Sequence, residues 1–343
     1  MYTVGGLFAG VGGIEIGFEK AGFEISWANE FDKYACITYR HNHKEHNLIE
    51  GDIHDIDPSA LLSVDILTGG FPCQAFSIAG YQNGFDDPRG NLFFEIVRLI
   101  KGLPEKPKVL FLENVKNLVG HDKKNTFKVI RDYLHNLGYS VFWDILNTAV
   151  YTDLPQNRER TFIICFRDEY NWEFKNDREK TASHYFSSVF PPIKRKKLKH
   201  IREILEKEKV DDKFYYTESS YMYKELVNNI KSRDTIYQWR RVYVRENKND
   251  MCPTLTANMG TGGHNVPLIL DDWGIRKLTP WECFKFQGYD SKFKLPKSEV
   301  ANSQLYKQAG NSVTVPLVQK IAGLIRDSLD YKYRTRYELV GKQ

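Results

Sequence analysis

The stretch TVGGLFAGVGGIEIGFEKAGFEISWANE, Thr3 to Glu30, decides how the rest of the chain is read. It opens on an apolar run with extended character, breaks at a glycine cluster (Gly10, Gly12, Gly13), continues as the helical IEIGFEKAG and ends in a second short apolar run, EISWANE. Strand, glycine turn, helix and strand in that order predict a β-α-β unit. A helical stretch follows from Asp32 to about His43. Further strand-like runs stand at VDILTGG, KVLFLEN, YSVFWDIL and RTFIICF, separated by helix-like NLFFEIVRLIKGL and NTFKVIRDYLHNLG. Such alternation predicts an α/β fold, a doubly wound, mostly parallel sheet of Rossmann-like type with helices on both faces.

The pattern degrades after about Asp168. From there to about Asp272 the chain is polar, rich in Lys, Arg and Tyr, and carries the basic run KRKKLKH from Lys194 to His200. We expect a catalytic and cofactor-binding domain over 1–172, completed by 302–343, a smaller irregular β-rich domain over 173–275, and a connecting segment over 276–301. The last part, YKQAGNSVTVPLVQKIAGLIRDSL from Tyr306, is expected to form a glycine-Asn turn, a short strand-like run and an amphipathic helix returning to the first domain.

The 343 residues are 41% hydrophobic and 27% charged, a globular composition, and 49 basic against 44 acidic residues give a net charge of +5. That excess suits a polyanionic partner without demanding one. No run approaches the roughly 18 apolar residues of a membrane span, and the first residues lack a secretory leader, so a soluble, cytoplasmic protein with no membrane association is expected. The five cysteines include no C-x-x-C pair, which argues against a disulfide framework and a zinc site. No metal is expected, and four of the five cysteines should be small buried hydrophobes.

Phe8, Gly10 and Gly12 lie between the first strand and helix, where backbone N–H groups can face a ligand, although a simple turn would use the same glycines. Glu30 ends the second strand and Asp52 follows a third region, so an acidic group is available for ribose hydroxyls and another for an adenine amino group. Together these predict an adenosyl ligand, S-adenosylmethionine or a dinucleotide. GGFPCQAFS, Gly69 to Ser77, sets Cys73 in a polar loop after a strand, while Glu113 ends the next strand and QNRER brings Arg158 and Arg160 to the same edge. A nucleophile, an acid and cations on one edge form a catalytic constellation.

LFAGVGG, NEFD, GDI, GGFPCQAFS, RGNLFF, LENV, QNRER, RKLTPWECFKFQGY and YKQAGNSVTVP follow one another in the order found in bacterial DNA cytosine-5 methyltransferases of restriction-modification type, which the chain resembles over nearly its whole length outside about 168–251. Gly6 departs from the family's first motif, which usually carries Asp there. The resemblance implies transfer of a methyl group from S-adenosylmethionine to carbon 5 of a cytosine flipped out of duplex DNA. Cys73 would attack carbon 6, Glu113 would engage ring nitrogen 3, Arg160 would hold the carbonyl oxygen, Arg158 would fix Glu113, and the Phe71 carbonyl would meet the exocyclic amine. It also implies that residues 74–90 form a mobile catalytic loop and that Phe8, Gly10, Gly12, Glu30, Phe31, Asp52, Ile53, Leu92 and Asn311 surround the donor. The polar segment becomes a target recognition domain. Gln74, Ser77, Arg240, Arg241 and Thr254 are the expected DNA contacts.

The expected partners are double-stranded DNA and, functionally, a cognate restriction endonuclease; the chain is expected to act as a monomer. Two alternatives remain at this point: an RNA (tRNA) cytosine-5 methyltransferase, whose recognition segment would usually be small, and a nucleotide- or DNA-binding protein without catalysis.

Overall fold

The computed structural model describes residues 1–71, 92–167, 190–191, 197–261 and 265–340. The expected alternation is present in β1 (Thr3–Leu7), α1 (Gly13–Lys20), β2 (Glu24–Glu30), α2 (Lys33–Asn42), β3 (Asn47–Glu50), β4 (Ile66–Gly70), α3 (Leu92–Gly102), β5 (Val109–Val115), α4 (Asn125–Asn136), β6 (Tyr139–Asn147), β7 (Gln156–Asn157) and β8 (Glu159–Arg167). Seven of these strands form one sheet in the order β3-β2-β1-β4-β5-β8-β6. β3, β2, β1, β4 and β5 run parallel, and β8 is inserted antiparallel between β5 and β6. The chain winds outward in both directions from β1 and β4. The ligand crevice of such a sheet lies beyond the carboxyl ends of those two strands, at the point where the winding reverses.

Beyond short helical turns such as Thr148–Tyr151 and Tyr223–Asn229, the chain forms β9 (Tyr237–Arg240), β10 (Tyr243–Glu246), β11 (Cys252–Pro253), β12 (Leu268–Leu270), β13 (Ile275–Lys277), α5 (Pro280–Phe286), α6 (Asn302–Asn311) and α7 (Val315–Val340). A separate antiparallel sheet has the order β10-β9-β12-β13, and β11 pairs with β7. One face of the large sheet is covered by Ile14 and Phe18 of α1 together with Val318, Ile321 and Ile325 of α7. Phe93, Ile96, Leu99, Ile130 and Leu134 of α3 and α4 cover the other. Each such side chain, fully buried, contributes about 1.5–3 kcal/mol. α1 and α7 meet closely because Gly17 has no side chain: a Cβ there would stand 2.6 Å from Val318 Cγ1.

Local sequence explains the helix starts. Asp32 accepts hydrogen bonds from the Tyr34 and Ala35 N–H groups at the head of α2. Thr279 and Glu282 form a reciprocal capping box around Pro280 at the head of α5. Glu282 also receives both terminal nitrogens of Arg276 at 2.8 Å, a fully buried pair that rivets β13 to α5, while Asp271 takes Arg276 Nε at 2.6 Å. Removing one member would strand the other's charge in the interior.

Two local expectations are corrected. YKQAGN is the end of helix α6, and residues 312–314 connect α6 to α7 without forming a strand. The Ser312 carbonyl is drawn inward by a buried arginine, described below, and the Thr314 carbonyl accepts N–H groups from the first turn of α7, so neither serves a sheet ladder. β3 was not foreseen as a strand because NLIE has only two apolar residues; it pairs on one side only, at the sheet edge. Among the described residues no helix is long and apolar enough to cross a membrane.

Candidate active site

β5 is apolar up to Leu112 and then ends in Glu113, Asn114 and Val115. Glu113 lies beside Gly70, the last residue of β4. A Cβ on Gly70 would make ordinary contact with Glu113 Oε2 at 3.6 Å. Asn114, fully buried, donates its amide to the Phe71 carbonyl at 2.8 Å and accepts the Val115 N–H at 2.8 Å. The chain therefore leaves β4 pinned to β5, two residues before Cys73. Asn114 was missed as a site residue, although it stands inside the LENV motif. Asn114 thus engages one lone pair of the Phe71 carbonyl, and a carbonyl has two. Cys73, Gln74, Ser77 and the expected catalytic loop over 74–90 lie outside the described residues.

The two arginines of QNRER separate in space. Arg160, in β8, stands diagonally across from Glu113 on the same face, since Glu113 pairs with Phe162. Its Nε lies 3.0 Å from Glu113 Oε1, and both side chains are largely buried. Arg158 precedes β8, after a tight turn in which its N–H bonds the Gln156 carbonyl at 3.1 Å. That turn sends it inward, where Nη1 donates to the Leu255 carbonyl at 2.8 Å and Nη2 to the Gly310 and Ser312 carbonyls. The contact with Glu113 that the resemblance implies for Arg158 is made by Arg160 instead. Burial first, and then Arg160, disfavour the charge on Arg158, while Glu113 favours it. Three carbonyls hold it in place. Gly310 is required for the same junction, because a Cβ there would overlap the backbone of Thr256.

The four described cysteines, Cys36, Cys165, Cys252 and Cys283, are buried and free. Desolvation pushes the Cys36 thiol up to about 11 and raises the other three further. None of them is a nucleophile at neutral pH.

At the other side of the crevice, Phe8 (φ 55°), Gly10 (φ 59°) and Gly12 (φ 87°) form a left-handed turn between β1 and α1. A Cβ on Gly10 would meet nothing within 4 Å, so the turn borders open space. Glu30, at the end of β2 and buried, accepts the Gly10 N–H at 2.7 Å on one oxygen and the Phe31 and Asp32 N–H groups at 2.9 and 2.8 Å on the other. The backbone fixes this carboxylate in place and leaves one acceptor site, on Oε2, for a further donor. Phe31 beside it is 70% exposed, a flat apolar surface next to an acid. Asp52 caps the turn that follows β3 by accepting the His54 N–H, Ile53 is buried, and Leu92 heads α3. Asn311 ends α6, and the next residue approaches the turn: Ser312 Oγ lies 2.9 Å from where a Gly13 Cβ would be. The nine predicted donor residues thus converge on the carboxyl ends of β1, β2 and β3, the head of α3 and the tip of α6. An open glycine turn, a backbone-held carboxylate and an exposed ring fit an adenosyl group with a ribose diol.

The departure at Gly6 has a structural counterpart. A Cβ at Gly6 would overlap Oε1 of Glu15, so a carboxyl from α1 fills the space that the family's strand side chain would take. Glu15 is completely buried, neither oxygen has a hydrogen-bond partner among the described residues, and burial pushes its pKa up to about 8.

The expected DNA contacts fall in two places. Thr254 donates to the Asn157 carbonyl at 2.6 Å, next to the β7–β11 pair and hence near Arg158. Arg240 and Arg241 sit at the tip of the β9–β10 hairpin, exposed, with Arg241 in a left-handed conformation.

Residues 2–327 match the C-5 cytosine-specific DNA methylase family. Among curated relatives, the Type II methyltransferase M.Bsp6I of Bacillus sp. (strain RFL6) is 51% identical over 332 residues, covering 96% of this chain and 100% of the relative. M.HhaI of Haemophilus parahaemolyticus is 36% identical over 340 residues, covering 95% and 94%. Among solved structures, S. pombe Dnmt2 methyltransferase superposes with a TM-score of 0.71 at 18% identity over 96% of this chain and 99% of that one. Spodoptera frugiperda DNMT2 gives 0.72 at 19% identity over 95% and 100%. These two show the shared fold. The family match over most of the chain, together with this mixed, mostly parallel sheet, defines a methyl-transferring class of enzyme. The chain belongs to the C-5 cytosine-specific DNA methylase family: it is a DNA cytosine-5 methyltransferase and requires a methyl donor. The DNA reading is favoured over the RNA one, and the non-catalytic reading falls.

Proposed function

We propose that this enzyme methylates one cytosine within a short duplex DNA sequence by covalent catalysis through Cys73, with S-adenosylmethionine as the donor. The observation that carries the reading is the Glu113–Arg160 pair at the carboxyl end of β5, set beside the point where the chain departs from β4 toward Cys73. The burial of the other four thiols supports the choice of nucleophile.

Carbon 5 of cytosine is a poor nucleophile, so the ring must first be activated. The Cys73 thiolate forms a bond to carbon 6, and Glu113 supplies a proton or hydrogen bond to ring nitrogen 3 as electron density moves into the ring. Arg160 orients Glu113 and offers its remaining donors to the carbonyl oxygen, a preorganised arrangement. Arg158 positions the strand without touching the base. The donor, held by Phe8, Gly10, Gly12, Glu30, Phe31, Asp52, Ile53, Leu92 and Asn311, supplies an electrophilic methyl group for carbon 5. Loss of the carbon 5 proton then expels Cys73 and restores the aromatic ring. Both faces of a stacked base are covered, so the cytosine must be extruded, at a cost of a few kcal/mol.

We assign residues 1–172 and 302–343 to catalysis and donor binding, 173–275 to target recognition, with Gln74, Ser77, Arg240, Arg241 and Thr254 contacting DNA, and 276–301 to the connection. The relatives' Type II names support a restriction-modification role; our reading adds a cognate endonuclease as functional partner and a monomeric cytoplasmic enzyme. Incubation with tritiated S-adenosylmethionine should label mixed-sequence duplex DNA and leave tRNA unlabelled. A duplex carrying 5-fluorocytosine at the target should trap a denaturation-resistant adduct, because fluorine cannot leave as a proton does. Cys73→Ser should abolish it; an adduct that survives that substitution would refute the nucleophile.

A further inference from the structure

Away from the catalytic edge, on the outer side of the glycine turn, Glu19 from the last turn of α1 meets His43, which caps α2, and His46, three residues further on. One ligand atom from each lies within 4.8 Å of the other two. The two imidazoles are stacked, with centroids 4.9 Å apart and planes 17° from parallel. We propose that these three residues form a site for one divalent cation of the zinc type.

The outer nitrogens of both rings already have the partners that a metal-bound histidine needs. His43 Nε2 lies 3.2 Å from the Val11 carbonyl, so that nitrogen carries the proton and Nδ1 keeps its lone pair. His46 Nδ1 lies 2.9 Å from the hydroxyl of the buried Tyr39, while its Nε2 lies 3.0 Å from Glu19 Oε1. In the metal-free protein a proton on His46 Nε2 bridges to Glu19 and the Tyr39 hydroxyl donates to Nδ1. A cation takes the place of that bridging proton: the proton moves to Nδ1 and the tyrosine oxygen becomes its acceptor. Backbone-carbonyl and hydroxyl partners of this kind fix the orientation of ligating imidazoles. Two imidazoles and one carboxylate make a three-ligand set suited to zinc, cobalt or nickel, with bonds of about 2.0–2.2 Å and an open fourth position.

The surroundings fit. The three residues line a cavity of about 300 Å³, walled also by Asn42, Tyr289 and Phe293, which leaves room for a water as fourth ligand. The wall also carries Lys20, Lys44 and Lys292 alongside the acidic Glu45 and Asp290, and Lys20 is paired with Asp290 at 2.8 Å. The site also touches the donor turn: a Cβ on Gly12 would overlap the His43 ring, and the Val11 carbonyl receives its proton. The ion would stiffen that turn from behind.

The test uses full-length protein stripped with chelator and titrated with zinc sulfate by calorimetry, then with cobalt chloride by absorption. One equivalent should bind with micromolar affinity or tighter, and cobalt should give visible d–d bands without a thiolate charge-transfer band. Glu19→Gln and His46→Gln should each weaken binding by about 10–100-fold, while Glu45→Gln, also in the cavity wall, should bind as the parent does; circular dichroism checks that each variant is folded. Absence of saturable uptake would overturn the proposal. So would uptake retained by the Glu19→Gln/His46→Gln double variant, or a thiolate band, which would move the ion to a cysteine.

Discussion

The carboxyl edge of the large sheet and the β9–β10 hairpin both present arginines, and they treat them differently. At the sheet edge, Arg160 is matched to Glu113 and Arg158 is buried against three carbonyls. On the hairpin, Arg240, Arg241 and Arg245 lie in solvent. The difference follows from what each must do. Stabilising charge that develops during a reaction requires dipoles fixed before the substrate arrives, which costs stability when any one is lost. Contacting a polyanion tolerates long, mobile side chains, because phosphate contacts depend weakly on angle.

That contrast can be broken or sharpened by substitution. The largest effect is expected for Glu113→Gln, which should lower kcat by about 10²–10⁴-fold in a variant that still folds, with some loss of melting temperature because Arg160 is left unpaired; destabilisation with kcat retained would make Glu113 a structural residue. Arg158→Met should destabilise the fold by about 3–5 kcal/mol in urea unfolding, since three carbonyls lose their donor. A stable, inactive variant would place Arg158 in direct contact with substrate.

Glu15→Gln tests the buried carboxyl at Gly6. A group whose pKa is raised from 4.5 to about 8 on folding costs no stability below pH 4.5, and stability is lost progressively as pH rises toward 8. The variant should therefore match the parent near pH 4.5 and exceed it at pH 8 and above, by on the order of 2–4 kcal/mol. A pH-independent difference would mean that the carboxyl finds a partner. The smallest effect belongs to Arg240→Ala, which should leave kcat on saturating DNA unchanged and reduce the slope of log affinity against log salt by about one. An unaltered slope would remove this residue from the DNA surface.

The same contrast governs what could be read in advance. Chemistry at the sheet edge was legible because LENV and QNRER stand next to apolar strands whose periodicity is strong, and because nucleophile, acid and cation types are few. The sequence could not show that two arginines two residues apart would part company, since the turn between Gln156 and Arg158 is made by backbone hydrogen bonds. Nor could it show that Gly310 closes a helix against Thr256 rather than opening a turn, because that depends on a contact 54 residues away in sequence. The Glu19–His43–His46 cluster left no trace in cysteine-based reasoning: its ligands come from two elements and share no motif. In the polar segment, short strands such as YQWR and YVRE carry little periodic signal, and the strand that joins this hairpin to the rest of its sheet, β12, pairs with YQWR from about 30 residues away.

α7 has a consequence for biosynthesis. With Val313 just before it, it supplies Leu317, Val318, Ile321, Ala322, Ile325 and Leu329 to a face whose other buried members lie between Val4 and Phe166. During translation, therefore, that face of the sheet stays bare until some 150 further residues have been made. A nascent chain in this condition is exposed to aggregation and suited to capture by chaperones. Synthesis of α7, more than local pairing of strands, sets the moment at which this face can close.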